Sequence, residues 1–208
     1  MATFWLNVLW GMGATIYWER DSGNLELYIM SPAPMMGILT GMALGGMTTT
    51  VVRAAVITIT GVVAFDVPLQ PTSWWLLTAV FFLTLAALYG LGMMFASLFL
   101  LFGREAWHTV NLLQEPVYLL TGMNFPLSAM QKIAGSAVPG VALLIPLTAG
   151  IDAMRQLLFP GVQGFLPVGW EVAILAVLSV LFVWLAKFCL DRLERKARIE
   201  GTLGARWQ

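Results

Sequence analysis

The sequence predicts an all-α polytopic membrane protein, and its composition, its apolar blocks and its basic tail support this fold class. Apolar residues make up 59% of the 208 residues and charged residues 11%, against roughly 25% charged in a soluble domain. Such a chain cannot cover itself with a polar surface, so lipid is its expected solvent. The formal net charge of zero argues against a nucleic-acid partner.

Five apolar blocks are predicted to cross the bilayer. An 18-residue helix is about 27 Å long, close to the roughly 30 Å of a bilayer core. The predicted spans are 1–18, 35–65, 74–102, 108–125 and 171–190. Because Lys and Arg collect on the cytoplasmic side, the basic tail at 191–208 is expected in the cytoplasm. We therefore predict a single domain, 1–208, with its N-terminus outside a plasma membrane (bacterial or archaeal inner).

The apolar block from Ile133 to Gly150 is not predicted to cross. Pro139 and Pro146 interrupt it, and two prolines disfavour a straight helix that faces lipid. Residues 127–158 are therefore predicted to form an external re-entrant hairpin packed against protein. Within it, Asp152 and Arg155 are three residues apart, so a helix places them on one face, most simply as a structural ion pair.

The segment 19–34 is predicted to be a cytoplasmic amphipathic helix between two spans. Leu25 and Ile29 fall on one face, and Pro32 ends the helix. Two interpretations stay open for this segment. It rests at the lipid interface, with Trp18 and Tyr28 as anchors, or it is a lever that a cytoplasmic partner presses.

Polar residues inside predicted spans are candidate pathway residues, because such residues usually face a cavity or a partner. They are Arg53, Asn111, Gln114 and Glu115. Pro116 frees a backbone carbonyl one turn earlier, which polar groups must satisfy. Functional and structural interpretations are about equally supported for this group.

The sequence lacks the residues that several kinds of functional site require. There is no Gly-x-x-x-x-Gly-Lys-Ser/Thr loop to cradle nucleotide phosphates. The only cysteine is Cys189 and the only histidine is His108, which excludes disulfide frameworks and multi-histidine metal sites within the chain. No catalytic nucleophile set is recognisable, so we do not predict an enzyme.

Three motifs occur together and in order. The first reads Glu-Arg-x-x-Gly-x-Leu-Glu and consists of Glu19, Arg20, Gly23, Leu25 and Glu26, followed by Ser31 and Pro32. The second runs from Pro116 through Leu120, Thr121 and Gly122 to Phe125 and Pro126. The third contains Pro146, Leu147, Thr148, Asp152 and Arg155. With these motifs, nearly the whole chain resembles the type-2 ABC exporter permeases, which include daunorubicin-resistance and polysaccharide-export permeases.

The resemblance implies a permease subunit that a separate ABC ATPase subunit drives. It assigns 19–34 to coupling, through Glu19, Arg20, Gly23, Leu25, Glu26 and Ile29, and 127–158 to an external gate that includes Pro126, Pro146, Asp152 and Arg155. It implies a second permease subunit, as a homo- or heterodimer. This chain would bind no cofactor, with ATP and Mg on the ATPase. Family members have six spans, and this sequence begins in the second.

The sequence leaves two other classes of function open. One is a proton-coupled secondary transporter that uses Arg53 and Glu115, with His108 as a further relay group. The other is an intramembrane enzyme, which lacks a nucleophile or metal set. The Met- and aromatic-rich composition suits a hydrophobic or amphipathic substrate.

Overall fold

A computed structural model describes residues 18–19, 22–24, 35–66, 71–102, 117–159 and 161–200. All regular secondary structure within these residues is helical. We number the six helices in chain order: α1 (Met35–Phe65), α2 (Trp74–Phe102), α3 (Leu127–Ala134), α4 (Ala137–Ala142), α5 (Pro146–Leu158) and α6 (Val168–Glu200).

Three of the helices are long and apolar enough to cross a membrane. The qualifying stretches are Met36–Phe65 in α1, Trp74–Ala96 in α2 and Val168–Arg192 in α6. Even the shortest, with 23 residues, is about 34 Å long at 1.5 Å per residue, above the roughly 30 Å of a bilayer core. The protein is thus an all-helical, multi-pass membrane protein, as the composition predicts.

Three of the five predicted spans coincide with these helices. Residues 1–17 and 108–116, which carry most of the other two predicted spans, lie outside the described residues. Of the second of these, the structure describes a helical turn at 117–120. The count of five spans therefore stays a prediction.

Helices α2 and α6 lie side by side and run in the same direction. Gly90 in α2 packs so closely on α6 that an added Cβ would lie 3.1 Å from the backbone nitrogen of Val183. Val80 shares one buried cluster with Leu175, whereas residues further along both helices share another cluster. Both helices therefore begin at the same end of the bundle, which we call the top.

Exposed tryptophans mark the top of the bundle. Trp74 and Trp75 begin α2, and Trp170 lies in the first turn of α6. All three side chains are largely exposed. Tryptophan is enriched where a membrane meets water, so this arrangement is the one expected if the top lies at a membrane surface.

In the described part of the chain between α2 and α6, three short helices follow the helical turn at 117–120. Pro126 precedes α3, Gly135 ends it with a positive φ of 75°, and Pro146 occupies the first turn of α5. The start of α5 packs deep, where Leu147 and Ile151 join the cluster of Leu85 and Leu88. Its end reaches the top, where the Leu157 carbonyl accepts a 3.0 Å hydrogen bond from the Thr72 N–H.

Candidate functional site

Among the described residues, the buried acidic side chains lie at the top, where α5 meets α6. Asp152 and Gln156 are one turn apart on α5 and therefore share a face. Glu171 lies in the first turn of α6. Asp152 is 4% exposed and Glu171 is fully buried. We call Asp152 and Glu171 the acid pair.

Asp152 and Gln156 hold the segment that leads into α6. Asp152 Oδ2 accepts a 2.7 Å hydrogen bond from the Phe165 N–H. Gln156 Nε2 donates to the Leu166 carbonyl at 2.8 Å and to Glu171 Oε2 at 3.0 Å. One face of α5 thus fixes both the backbone before α6 and the first acidic side chain within it.

The side-chain amide of Gln156 brings the acid pair together, since it donates to Glu171 Oε2 at 3.0 Å and lies with Asp152 Oδ2 around the position of a Gly164 Cβ. Glu171 Oε1 has no hydrogen-bond partner among the described residues. No ion pair to either carboxyl group is present in the part of the chain that the structure describes. Burial of a carboxylate without a counter-charge costs free energy, so we expect a further group to neutralise the acid pair.

Gly164, in the segment 161–167, packs directly against Asp152 and Gln156. A Cβ at this position would lie 2.8 Å from Asp152 Oδ2, and closer still to the side-chain amide of Gln156. Real Cβ atoms do not make such approaches, so a residue with a side chain would displace the acid pair or the amide. The glycine is therefore needed for close approach.

Arg155 connects two of the sequence motifs. One of its guanidinium nitrogens, Nη2, donates a 3.2 Å hydrogen bond to the carbonyl of Met123. The adjacent Gly122 has a positive φ of 71°, a conformation that glycine adopts at little cost. Met123 and Gly122 lie within the Pro116–Pro126 motif, and Arg155 belongs to the Pro146–Arg155 motif, so the two motifs meet at the top.

Helix α5 also docks tightly against α2. A Cβ at Gly150 would lie 2.9 Å from the Cβ of Thr84, with two other Thr84 atoms closer. Thr84 directs its hydroxyl to the carbonyl of Val80 at 2.7 Å, which satisfies the group inside the apolar contact. The close approach thus depends on a glycine in α5 and on a threonine in α2 whose hydroxyl is bonded within its own helix.

A smaller polar contact joins α1 to α2. The Thr50 hydroxyl donates to the Gly46 carbonyl at 2.8 Å, so Tyr89 donates its own hydroxyl proton to Thr50 Oγ1 at 2.9 Å. Gly46 leaves room for the ring, since a Cβ there would lie 2.7 Å from the Tyr89 hydroxyl. Arg53, one turn along α1 from Thr50, acts electrostatically on Tyr89.

Of the predicted coupling residues, the structure describes Glu19 and Gly23. Glu19 lies in a helical turn, and its carbonyl accepts a 3.2 Å hydrogen bond from the Ser22 hydroxyl. Gly23 has a positive φ of 80°, which explains why this motif position is a glycine. The remaining coupling and pathway candidates lie outside the described residues: Arg20, Leu25, Glu26, Ile29, Asn111, Gln114 and Glu115.

Three of the four predicted gate residues lie on α5, and the fourth lies just before α3. Pro126 is exposed before α3, and Pro146 is buried at the start of α5. The expected ion pair between Asp152 and Arg155 is absent from the described structure, because each side chain binds a backbone group instead. Sequence reasoning placed the two residues on one helix but could not reveal these distant partners.

Glu171 and Gln156 were not predicted as site residues. The available signal was a carboxylate within an apolar span, the same signal that singled out Glu115. A position at the very start of a predicted span is ambiguous, because the side chain of such a residue can also reach water. Gln156 stands one turn after Asp152, and only the fold shows that both meet Glu171.

Among the described residues, no group of three or more His, Cys, Asp or Glu side chains is placed to hold a metal ion. Comparison with protein-family models, with curated proteins and with solved structures gives no match. The family resemblance therefore rests on the three sequence motifs.

Proposed function

We propose that this chain is the permease subunit of an ATP-binding cassette exporter. In this proposal it forms, with a second permease subunit, the pathway for a hydrophobic or amphipathic substrate. A separate ATPase subunit binds ATP and Mg and supplies the energy. The chain itself is moved and is not an enzyme.

The observation that carries the proposal is the hydrogen bond from Arg155 to the Met123 carbonyl. It joins two of the three motifs on which the family resemblance rests, across 32 residues of sequence. Motif residues that meet in space are expected if the motifs belong to one working part. A chance resemblance between short sequence patterns gives no reason for such a meeting.

The path of the chain between α2 and α6 also supports the proposal. Because these two helices run in the same direction, the chain must return to the top between them. Residues 117–123 approach the top, and α5 then rises from the deep cluster to the Thr72 hydrogen bond. This is the path that a span at 108–125 and a re-entrant hairpin at 127–158 require.

The 19–34 segment is the proposed contact with the ATPase. Energy enters this subunit by contact in our proposal, since the sequence contains no phosphate-binding loop. Glu19, Arg20 and Glu26 would pair with charged groups of the ATPase, and Leu25 and Ile29 would fill its apolar groove. The tail and this segment are then cytoplasmic, and the top of the bundle is external.

A second candidate is a proton-coupled secondary transporter, and the acid pair is the observation that favours it. Buried carboxyl groups in membrane proteins are frequent components of proton relays. In this version Arg53 and Glu115 would belong to the same relay. The two candidates differ in energy source, which makes them separable by one transport assay.

The assay reconstitutes the permease with an ABC ATPase subunit that co-purifies with it and measures uptake of a fluorescent hydrophobic dye into inside-out vesicles. We expect uptake that requires ATP and Mg and is blocked by vanadate. Glu26→Lys is expected to abolish ATPase co-purification and uptake, whereas Asp191→Lys, the same charge change at an exposed position of α6, preserves both. Uptake that follows a pH gradient without ATP would favour the second candidate.

A further inference from the structure

The acid pair is a buried site with more acceptors than donors. Asp152 Oδ2 receives the Phe165 N–H, and Glu171 Oε2 receives one N–H of Gln156. Glu171 Oε1 has no partner among the described residues, although the residue is fully buried. An ionised carboxylate offers only lone pairs, so two neighbouring carboxylates cannot satisfy each other.

Among the residues that the structure describes, none supplies a positive charge to neutralise the pair. On α5, Arg155 is turned to the Met123 carbonyl. Helix α2 contains no charged residue, and its one ionisable group, Tyr89, binds Thr50 in the deeper cluster. The segment 161–167 has no ionisable side chain, and the only charged residue of α1, Arg53, acts on Tyr89.

We propose that Asp152 and Glu171 share one bound proton, which makes the top of α5 and α6 a proton-binding site. The proton turns one carboxyl group into a donor, so the two groups form a hydrogen bond and the site carries one negative charge rather than two. The site is independent of the energy source, since a proton can regulate an ATP-driven exporter or drive a secondary transporter.

Loss of this proton acts on the contact between the two helices. Two ionised carboxylates in a buried site repel each other and lack donors. One carboxylate belongs to α5 and the other to α6. The α5 face that carries Asp152 also binds the backbone of Phe165 and Leu166. Deprotonation therefore loosens the top of α5 from α6, and protonation closes it.

Two measurements on the purified full chain in lipid nanodiscs test this proposal. Infrared difference spectroscopy at neutral pH is expected to show the carbonyl stretch of a protonated carboxyl group, and Glu171→Gln should remove it. Thermal unfolding is expected to show stability that falls as the pH is raised from neutral. The folded state binds one proton more than an unfolded chain, so the folding equilibrium falls by up to about tenfold per pH unit.

Amide variants separate the proton from the hydrogen bonds. In Glu171→Gln the amide N–H supplies the donor permanently, so the variant should fold and lose the pH dependence. Asp152→Asn should behave in the same way, since its amide oxygen still accepts the Phe165 N–H. Asp191→Asn removes one exposed carboxylate from α6 and should retain the wild-type pH profile.

Three results would overturn the proposal. The first is a wild-type spectrum without a protonated carboxyl band that depends on Glu171. The second is an unchanged pH profile in Glu171→Gln. The third is a stability that responds to sodium, potassium or calcium at constant pH and loses this response in Glu171→Gln, which would identify a cation site in place of a proton site.

Discussion

Helices α1 and α5 show opposite relations between composition and burial. Helix α1 has one charged residue among its 31 residues, yet most of its side chains are exposed. Helix α5 contains Asp152, Arg155 and Gln156, yet ten of its 13 residues are buried. Apolar composition therefore identifies the membrane-spanning helices of this protein, whereas polar and small residues identify α5, the helix packed between the others.

The reason is that lipid and protein interior are both apolar. A helix that faces lipid needs apolar side chains on every face, and α1 exposes Leu44, Val56 and Val63 in this way. A helix packed between others needs short residues for close approach and satisfied polar groups. Gly150 against Thr84 and Asp152 on the Phe165 N–H supply these two features.

The largest difference is expected between two Gly→Ala substitutions, one in α5 and one in α1, each of which adds a single methyl group. Gly150→Ala is expected to destabilise the protein by about 1–3 kcal/mol, since its Cβ would overlap Thr84 and overpacking costs this much. Gly41→Ala in α1 meets no atom within 4 Å, so the gain in helix propensity should stabilise it by up to about 1 kcal/mol. Thermal unfolding in nanodiscs measures both.

Equal destabilisation by the two glycine substitutions would contradict the comparison. It would mean that the exposed face of α1 is packed against another chain in the nanodisc. In that event the oligomeric state of the sample, measured by mass photometry, identifies a second subunit as the neighbour.

The next effect concerns the polar groups that α5 buries. Asp152→Ala leaves the Phe165 N–H without its acceptor, and an unsatisfied buried donor costs about 1–3 kcal/mol. Asp152→Asn keeps an acceptor and should cost much less. Hydrogen exchange at the Phe165 amide should therefore speed up in the alanine variant alone, and equal exchange in both variants would rule out this anchoring role.

The smallest effect is expected where α1 meets α2. Tyr89→Phe removes one hydrogen bond to Thr50 and should cost about 0.5–1.5 kcal/mol of unfolding free energy. Thr50→Val removes the same bond from the other side, so the double variant should cost less than the sum. Strict additivity in this double-mutant cycle would show that the two hydroxyl groups contribute independently.

Much of the fold was predictable from the sequence because its signals are local. The blocks 35–65, 74–102 and 171–190 are long, apolar and bounded by polar residues, and each coincides with a spanning helix. Pro146 signalled the break between α4 and α5, whereas the break between α3 and α4 falls at Gly135 and Pro139 lies within α4. These are properties of neighbouring residues, which a sequence displays directly.

The site was less predictable because its contacts are not local. The partners of Asp152 and Arg155 lie 13 and 32 residues away in sequence, so helical spacing alone suggested an ion pair that does not form. Glu171 was hidden at the boundary of a span. A uniformly apolar helix also has no periodic face, so nothing in α1 or α2 predicted which of them is buried.

The central claim is that α5 belongs to an external gate that an ATPase opens, and a reversible cross-link tests it most directly. The Thr72 nitrogen and the Leu157 carbonyl oxygen lie 3.0 Å apart, so cysteines at Thr72 and Leu157, with Cys189→Ser, are placed to form a disulfide between α5 and the segment just before α2. We expect the oxidised protein to retain its ATPase but to stop vanadate-sensitive dye uptake, and reductant to restore it. Undiminished uptake by fully cross-linked protein would contradict the gate.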